Sequence, residues 1–488
     1  MMKFIVRLHA EITVKSKSLR KRHGSVLSSN IRNLIKQHTD QVAVRWLWDK
    51  IEVEIPADEQ LAGKVRDVLV CIPGISHIEE VIETDFTDFE GALQFVIDNM
   101  GPALTHKSFA VRVKRRGKHE FSSQDLAVYI GGGIRARVEG ATVKLVQPQE
   151  TVQLWLENDT LSLLVRRLPG LGGYPLPTQE TALSLISGGF DSAVASYQFI
   201  RRGARTHFCF FNLGGAAAHE AAVREVAYYV WKKYSSTHPV KFVSVDFSGV
   251  VEAILNQNEP GVMGVLLKRS MLRAAALVAD RVNAQALVTG EALGQVSSQT
   301  LSNLQIIDEV THKLVLRPLI TMDKQDIVNI ARDIGVEEMA ASIPEYCGVI
   351  SNKPTVKAKQ QVVLAAEAGI TDEMIEEAVM AAPVKDIREV HAQPTAYMPP
   401  IYTQEQELPT GTVVIDIRSP EEEDEAPLSL ASTEVVHIPF FKLANKMQTM
   451  DTSKPYALYC QQGVMSRLQA IALKEQGVAH LALYEPKD

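Results

Sequence analysis

Apolar and polar positions alternate along residues 3–8 and along much of 42–55, which predicts half-buried strands. Between them Val26, Leu27, Ile31, Leu34 and Ile35 recur at the helical period, predicting a helix over 25–37, and a second helix is expected over 59–70 before the turn Ile72-Pro73-Gly74-Ile75. That succession points to a small ferredoxin-like α+β unit over residues 1–60. From 61 to 167 a second α+β unit follows, with a strand from Phe109, a helix over 123–130 broken by Gly131-Gly132-Gly133, and closing strands at 143–145 and 152–156. A Gly/Pro-rich linker then runs from Leu168 to Pro177.

Beyond the linker the pattern changes. Short apolar runs at 183–186, 206–211, 241–245 and 286–289 alternate with helical periods over 220–233 and 264–282. Strand and helix in alternation predict a doubly wound parallel sheet over 178–390. Residues 391–410, with Pro394, Pro399, Pro400 and Pro409, show no period and read as a linker. A last α/β unit, 411–488, opens with Val413-Val414-Ile415-Asp416-Ile417-Arg418 and carries a second strand at 456–459.

With 488 residues the chain exceeds what one core can organise, so several domains are expected. Its 46% hydrophobic and 22% charged content is that of globular protein, and no apolar run approaches membrane-spanning length; a cytoplasmic protein without a membrane partner is expected. Cys71, Cys209, Cys347 and Cys460 are few and scattered, with no Cys-x-x-Cys, which argues against structural zinc, an iron–sulfur cluster or a disulfide framework. The net charge of −7 is unevenly spread. Up to residue 170 there are 24 Lys and Arg against 21 Asp and Glu, and beyond it 27 against 37. A polyanion would be gripped by the amino-terminal third.

Three stretches carry chemistry. The first is Ser187-Gly188-Gly189-Phe190-Asp191-Ser192, between the run Leu183-Ser184-Leu185-Ile186 and a helical period. Strand, glycine turn and helix together aim backbone N–H groups at an anion, aided by the helix dipole. No Gly-Lys-Ser/Thr follows and no Gly-x-Gly-x-x-Gly is present, so neither common nucleotide fingerprint applies. Leu185 and Ile186, at the strand end, offer backbone groups to a base; Lys268 is placed to reach phosphate, and the stretch 289–300 with Gly290 and Gln299 suits a nucleotide wall. The second is 109–119, where a strand runs into a basic turn with Lys114, Arg115, Arg116 and Lys118, able to hold several phosphates of a nucleic-acid duplex. Lys15, Lys17, Arg20, Lys21 and Arg22 form another basic cluster, read as a loop before the first helix. The third is Cys460, between a strand and a helix start, where backbone N–H groups favour a thiolate or a persulfide anion. Cys347 lies in a second loop, Pro344-Glu345-Tyr346-Cys347-Gly348.

Ser-Gly-Gly-x-Asp-Ser resembles the PP-loop of ATP pyrophosphatases, residues 61–167 resemble a THUMP RNA-binding domain, and the Cys460 loop resembles that of a rhodanese. In this order, with Pro-Glu-Tyr-Cys-Gly between, the whole chain resembles the ThiI family of tRNA sulfurtransferases, or tRNA 4-thiouridine synthetases. The resemblance implies a PP-loop domain that uses ATP with Mg2+ to adenylate uridine at position eight of tRNA. Leu185 to Ser192, Lys268, Gly290 and Gln299 would form the nucleotide site, with Asp191 catalytic. It further implies Cys460 as the carrier of a persulfide from a cysteine desulfurase, a redox-active Cys347–Cys460 disulfide, and sulfur passage to a sulfur-carrier protein of thiamine synthesis; it leaves a homodimer open. One departure concerns Arg467, which follows Cys460 only after six residues, later than the arginine of ordinary rhodaneses. Two alternatives stand beside this reading. One is a cysteine phosphatase at Cys460 with Arg467 as clamp, although its usual spacing is five; the other is a non-catalytic tRNA-binding scaffold.

Overall fold

The computed structural model describes residues 2–486 except 214–216, 258, 342, 344–353, 392–398, 419, 440–442, 444–445, 448, 452–453, 462, 476 and 479–480. Contacts divide the chain into two units, Met1–Thr178 with Arg201–Gly203, and Gln179–Ile200 with Ala204–Asp488.

In the first unit the amino-terminal alternation becomes the strand Met2–Leu8, whose Phe4, Val6 and Leu8 enter a core with Leu27, Ile31 and Ile35 of the helix Lys17–Ile35. This helix begins well before the expected residue 25, so Lys17, Arg20, Lys21 and Arg22 lie on it and not in a loop. The apolar period that the sequence shows starts only at Val26. The two extra turns are held by tertiary packing: His23 meets the Tyr174 ring edge-on at 5.6 Å, and Gly24 lies against Trp46. The expected strand 42–55 is a hairpin, Ala43–Leu47 with Lys50–Ile55.

An eight-stranded sheet runs through this whole unit, in the order Ala43–Leu47, Lys50–Ile55, Met2–Leu8, Ile75–Asp85, Thr160–Pro169, Glu150–Glu157, Ser108–Arg116, Thr142–Val143. The first six are mutually antiparallel and the last two pair parallel. Among the described residues two large cores form on it, besides a small cluster of Ile5, Val81 and Leu164. One gathers Phe4 through Ile78 and takes in Ala62, Val65 and Leu69 of the helix Glu59–Val70; the other runs from Ala92 to Leu163. The expected linker is packed: Tyr174 joins the first core, and Asn30 Nδ2 donates to the Leu176 carbonyl at 2.7 Å.

The three consecutive glycines do not end their helix, which extends over Ser123–Arg137. Glycine costs a helix interior roughly 1 kcal/mol each relative to alanine, yet close packing requires at least one of them. A Cβ on Gly133 would lie 2.1 Å from Leu93 Cδ2, whereas one on Gly132 would meet nothing within 4 Å. Gly132→Ala is therefore expected to stabilise the first unit by roughly 0.5–1 kcal/mol, and Gly133→Ala to destabilise it. Thermal unfolding of the two variants checks this, and equal melting temperatures would refute the packing argument.

The second unit contains two sheets. The larger has the order Leu314–Leu316, Ala286–Val288, Gln179–Leu185, Ala204–Asn212, Lys241–Asp246, Val384–Asp386; the first five strands are parallel and the last is antiparallel. The strand order reverses beside Gln179–Leu185, with the chain moving outward first through Ala204–Asn212 and later through Ala286–Val288. Such a reversal leaves a crevice at the carboxyl ends of the strands. The smaller sheet is wholly parallel, in the order Ile401–Tyr402, Leu481–Tyr484, Tyr456–Tyr459, Val413–Asp416, Glu434–His437. Residues expected to be linker thus supply an edge strand. Two residues are too few to show a period, and only pairing with Leu483 and Tyr484 defines them.

Candidate active site

The central strand Gln179–Leu185 delivers residues 187–192 into the crevice, and the helix Phe190–Arg201 carries the chain away. Gly188 has φ +87°, and a Cβ there would also meet Ile343 and Val223 within 3 Å, so the turn requires glycine. Ser192 locks the loop: its Oγ donates to the Gly189 carbonyl at 2.9 Å, accepts from the Ser187 N–H at 3.1 Å, and lies 3.2 Å from Ser187 Oγ. Underneath, Ser196 Oγ donates to the Ser192 carbonyl at 2.8 Å and sits 2.8 Å from Ser184 Oγ, joining strand to helix. The ring of His219 bonds the backbone at Ser187, and burial lowers its pKa.

Asp191 is the charged member of the loop. Its carboxylate accepts from Lys324 Nζ at 2.9 and 3.1 Å and from Gln295 Nε2 at 3.1 Å, and the Lys324 ammonium also rests over the Phe190 ring at 4.2 Å. Behind it lies Glu291, 7% exposed. Lys268 Nζ donates to it at 2.5 Å, Arg317 Nε at 2.7 Å and Thr289 Oγ1 at 3.0 Å. Burial alone would raise the Glu291 pKa, but the Lys268 and Arg317 charges outweigh it and hold the carboxyl at about 2. Arg317 is itself anchored by Asp308 at 2.5 and 2.9 Å.

The other expected nucleotide residues take more particular places. A Cβ on Gly290 would come within 2.8 Å of the Asp191 and Ser192 backbone, so this glycine lets the strand end approach the loop. Lys268 is bound to Glu291 and is not a loose surface charge. The Ile186 N–H already donates to the Cys209 carbonyl at 2.9 Å, so this donor is not available to a base as expected. Leu185 closes the strand beside Cys209. Gln299 lies in a short 3-10 turn with its Oε1 buried and without a hydrogen-bond partner, an acceptor that fits an amino group of a ligand.

Lys324 and Arg317 were not singled out by sequence reasoning as site residues, and Glu291 and Gln295 only as members of the stretch 289–300. Their partners are distant in the chain: Gln295 lies 104 residues and Lys324 133 residues from Asp191. The one available signal was that all four follow strand ends of a parallel sheet.

In the smaller sheet the strand Tyr456–Tyr459 ends at Cys460, which is 7% exposed. The Ser466 N–H donates to its Sγ at 3.3 Å, the thiol lies 3.5 Å from Ser466 Oγ, and that hydroxyl donates to the Gly463 carbonyl at 3.0 Å. Ser466, at the start of the helix Val464–Glu475, is a residue the sequence reading passed over. At the end of the neighbouring strand Val413–Asp416, Asp416 forms a buried pair with Arg418 at 2.6 Å, and the guanidinium stacks on Tyr459 at 5.0 Å. A cavity of about 240 Å³ reaches Cys460 and is bordered by Tyr229, Met339, Ile417, Arg418 and Gln461. Arg467 turns instead to Glu485, 3.2 Å away, which leaves a phosphatase reading without its clamp. Cys347 lies outside the described residues. Among the described residues no cluster of candidate metal ligands occurs.

In the first unit Lys114, Arg115 and Arg116 belong to the strand and not to a turn, so alternation splits them. Lys114 and Arg116 are exposed with Lys118; Arg115 lies on the opposite face, 3.1 Å from His119 Nδ1 and 5.8 Å from the Phe121 ring centre. Arg116 is also paired with Glu157 at 3.2 Å. No helix among the described residues is long and apolar enough to cross a membrane.

The Glu291 pair has a consequence for pH. A carboxyl whose pKa falls on folding stabilises the native state above its unfolded value, 4.5, and loses that contribution as pH drops toward about 2. Glu291→Gln is expected to cost about 1.5–3 kcal/mol at neutral pH, because partly buried Lys268 loses its carboxylate and Arg317 one of two, and to flatten the dependence of stability on pH between those limits. Denaturant unfolding across pH measures both, and an unchanged acid limb would refute the assignment.

Comparison with known proteins accords with this geometry. Residues 177–371 match the family model described as "Thiamine biosynthesis protein (ThiI)", and residues 83–166 match the THUMP domain. The tRNA sulfurtransferase of Shewanella loihica is 50% identical over 486 residues, covering 99% of this chain and 100% of that protein. That of Mannheimia succiniciproducens is 50% identical over 483 residues, 99% of each. A crystal structure of a 4-thiouridine synthetase–RNA complex with bound ATP aligns with TM-score 0.69 at 25% identity, over 79% of this chain and 99% of that one. PH1313 from Pyrococcus horikoshii shares the fold, with TM-score 0.51 at 18% identity over 69% of this chain and 100% of that one. The chain belongs to the ThiI family of tRNA sulfurtransferases.

Proposed function

We propose that this tRNA sulfurtransferase makes 4-thiouridine in two coupled steps, one at the Ser187–Ser192 loop and one at Cys460. The observation that carries the reading is the loop itself: a glycine turn locked by Ser192 at the switch point of a parallel sheet, with the Asp191 carboxylate held by Lys324 and Gln295. Its backbone N–H groups suit the phosphates of ATP. Gln299, with its unpaired Oε1, suits an amino group of the nucleotide, while Lys268 and Gly290 position the strand end through Glu291 and the loop backbone. Mg2+ would arrive with the ATP phosphates, near the Asp191 oxygens.

In the first step uridine O4, at position eight of the tRNA, attacks the α-phosphorus and pyrophosphate leaves, giving an adenylated base with a good leaving group at C4. In the second, the rhodanese-like unit brings sulfur. Cys460 accepts it as a persulfide from a cysteine desulfurase, and the Ser466 N–H, which donates to Sγ, favours a sulfur anion there. Attack by the Cys347 thiolate on Cys460 Sγ forms a Cys347–Cys460 disulfide and releases sulfide, which displaces AMP from C4; a thiol reductant then returns two electrons. The THUMP domain, with Lys114, Arg116 and Lys118, and the ferredoxin-like unit before it hold the tRNA. The same persulfide can serve a sulfur-carrier protein of thiamine synthesis, and the cytoplasm supplies the reducing conditions this cycle needs.

Asp191→Ala removes the partner of Lys324 at the loop and is expected to lower ATP-dependent thiolation more than ten-fold while tRNA affinity stays within two-fold. Nucleoside mass analysis and a binding titration measure the two, and thiolation above a tenth of wild type would sink the role given to the loop. Cys460→Ala is expected to separate the half-reactions. The variant should release pyrophosphate from ATP when tRNA is added, yet take up no radiolabelled sulfur from the desulfurase; sulfur uptake by the variant would exclude Cys460 as the carrier.

A further inference from the structure

The hairpin Ala43–Leu47/Lys50–Ile55 turns through two residues, Trp48 and Asp49, and Trp48 sits at φ +42°. Two-residue hairpin turns give such positions to glycine, asparagine or aspartate, because a side-chain Cβ is strained there. Here the position holds the largest side chain available, and it is 45% exposed. Nothing in the core requires it. One face of its ring is covered by the Arg20 guanidinium, centred 4.5 Å away, while Arg20 Nε donates to the Trp48 carbonyl at 3.1 Å. The arrangement is braced from behind: Trp46 lies 6.1 Å from Trp48, and Gly24 admits Trp46 so closely that a Cβ would fall 2.5 Å from the indole nitrogen.

The surroundings are cationic. Lys17, Arg20, Lys21 and Gly24 are spaced i, i+3, i+4, i+7 and share one helix face, with Lys17 and Lys21 exposed, and no acidic residue occurs on the helix Lys17–Ile35. The neighbouring Asp49 is paired with Arg7 at 3.2 Å. An exposed, pre-stacked aromatic ring beside a row of cations matches what single-stranded nucleic acid binds: a base takes the ring face and phosphates take the cations. Strain held at an exposed turn and not relieved by a small residue points the same way.

We infer that Trp48, backed by Arg20 and flanked by Lys17 and Lys21, is a stacking platform for an unpaired base of the RNA substrate. This rests on tRNA as that substrate. Because stacking carries no charge while phosphate contacts release counterions, the two parts separate by salt dependence.

The test is titration of full-length protein with a tRNA transcript over a range of salt, and with a single-stranded oligonucleotide carrying 2-aminopurine as a fluorescent base. Trp48→Gly suits the positive φ and is expected to fold, by near-ultraviolet circular dichroism, while losing roughly ten-fold in tRNA affinity with an unchanged salt slope. Trp48→Phe is expected to recover most of that loss. Lys17→Ala/Lys21→Ala should weaken binding and reduce the slope, and 2-aminopurine should be quenched by wild type but not by Trp48→Gly. A folded Trp48→Gly protein that binds tRNA as wild type does would overturn the platform and leave the proposed function standing. Failure of wild type to bind any RNA would overturn both. Normal RNA affinity with impaired sulfur loading from the desulfurase would assign the surface to a protein partner and overturn the inference.

Discussion

A single buried carboxylate organises the carboxyl end of the larger sheet. At the depth of Glu291 an unpaired charge would be neutralised by protonation, and it stays ionised because Lys268, Arg317 and Thr289 all reach it. Those three donors come from the helix Met263–Arg281, from the loop after Leu314–Leu316, and from the end of Ala286–Val288. Arg317 is tied in turn to Asp308 on the helix Leu301–Asp308. Fixing Glu291 fixes Gly290, whose missing side chain lets its strand end press on the Asp191–Ser192 backbone. The position of the glycine turn therefore follows from an ion-pair network.

The second centre repeats the physical plan on a smaller sheet. Again a parallel strand ends in a loop at a helix start, and a buried ion pair, Asp416 with Arg418, lies at the end of the neighbouring strand. The difference lies in what the backbone groups face. Around Ser187–Ser192 they suit phosphate oxygens; around Cys460 one of them, from Ser466, already donates to sulfur. Parallel strands make both possible, since their carboxyl ends collect successive loops at one edge.

The first unit works by a different economy of structure. A continuous mixed sheet carries the strand Ser108–Arg116 and the helix Lys17–Ile35, and the cations on these two elements are sorted by period. Period two turns Arg115 away from Lys114 and Arg116; the helical period gathers Lys17, Arg20 and Lys21. Equal densities of positive charge in the sequence thus become unequal surfaces.

Much of this was legible beforehand. The apolar periods located most strands and helices to within a few residues, since burial of one face is what the periods record. The Ser-Gly-Gly-x-Asp-Ser loop was readable because a turn with φ +87° at Gly188 and a locking serine at 192 are local requirements. Cys460 was readable because its strand and helix adjoin it. What tertiary structure alone decided are features whose causes lie far along the chain. The helix continues through Gly131–Gly133 because Leu93 packs on it; residues 401–402 are a strand because Leu483 and Tyr484 pair with them; the first helix starts at Lys17 because Tyr174 and Trp46 support it. The partners of Asp191 and Glu291 belong to the same class. A sequence states local preference and which chemistry is present, but which distant cation meets which carboxylate is settled only when the strands take their order in the sheet.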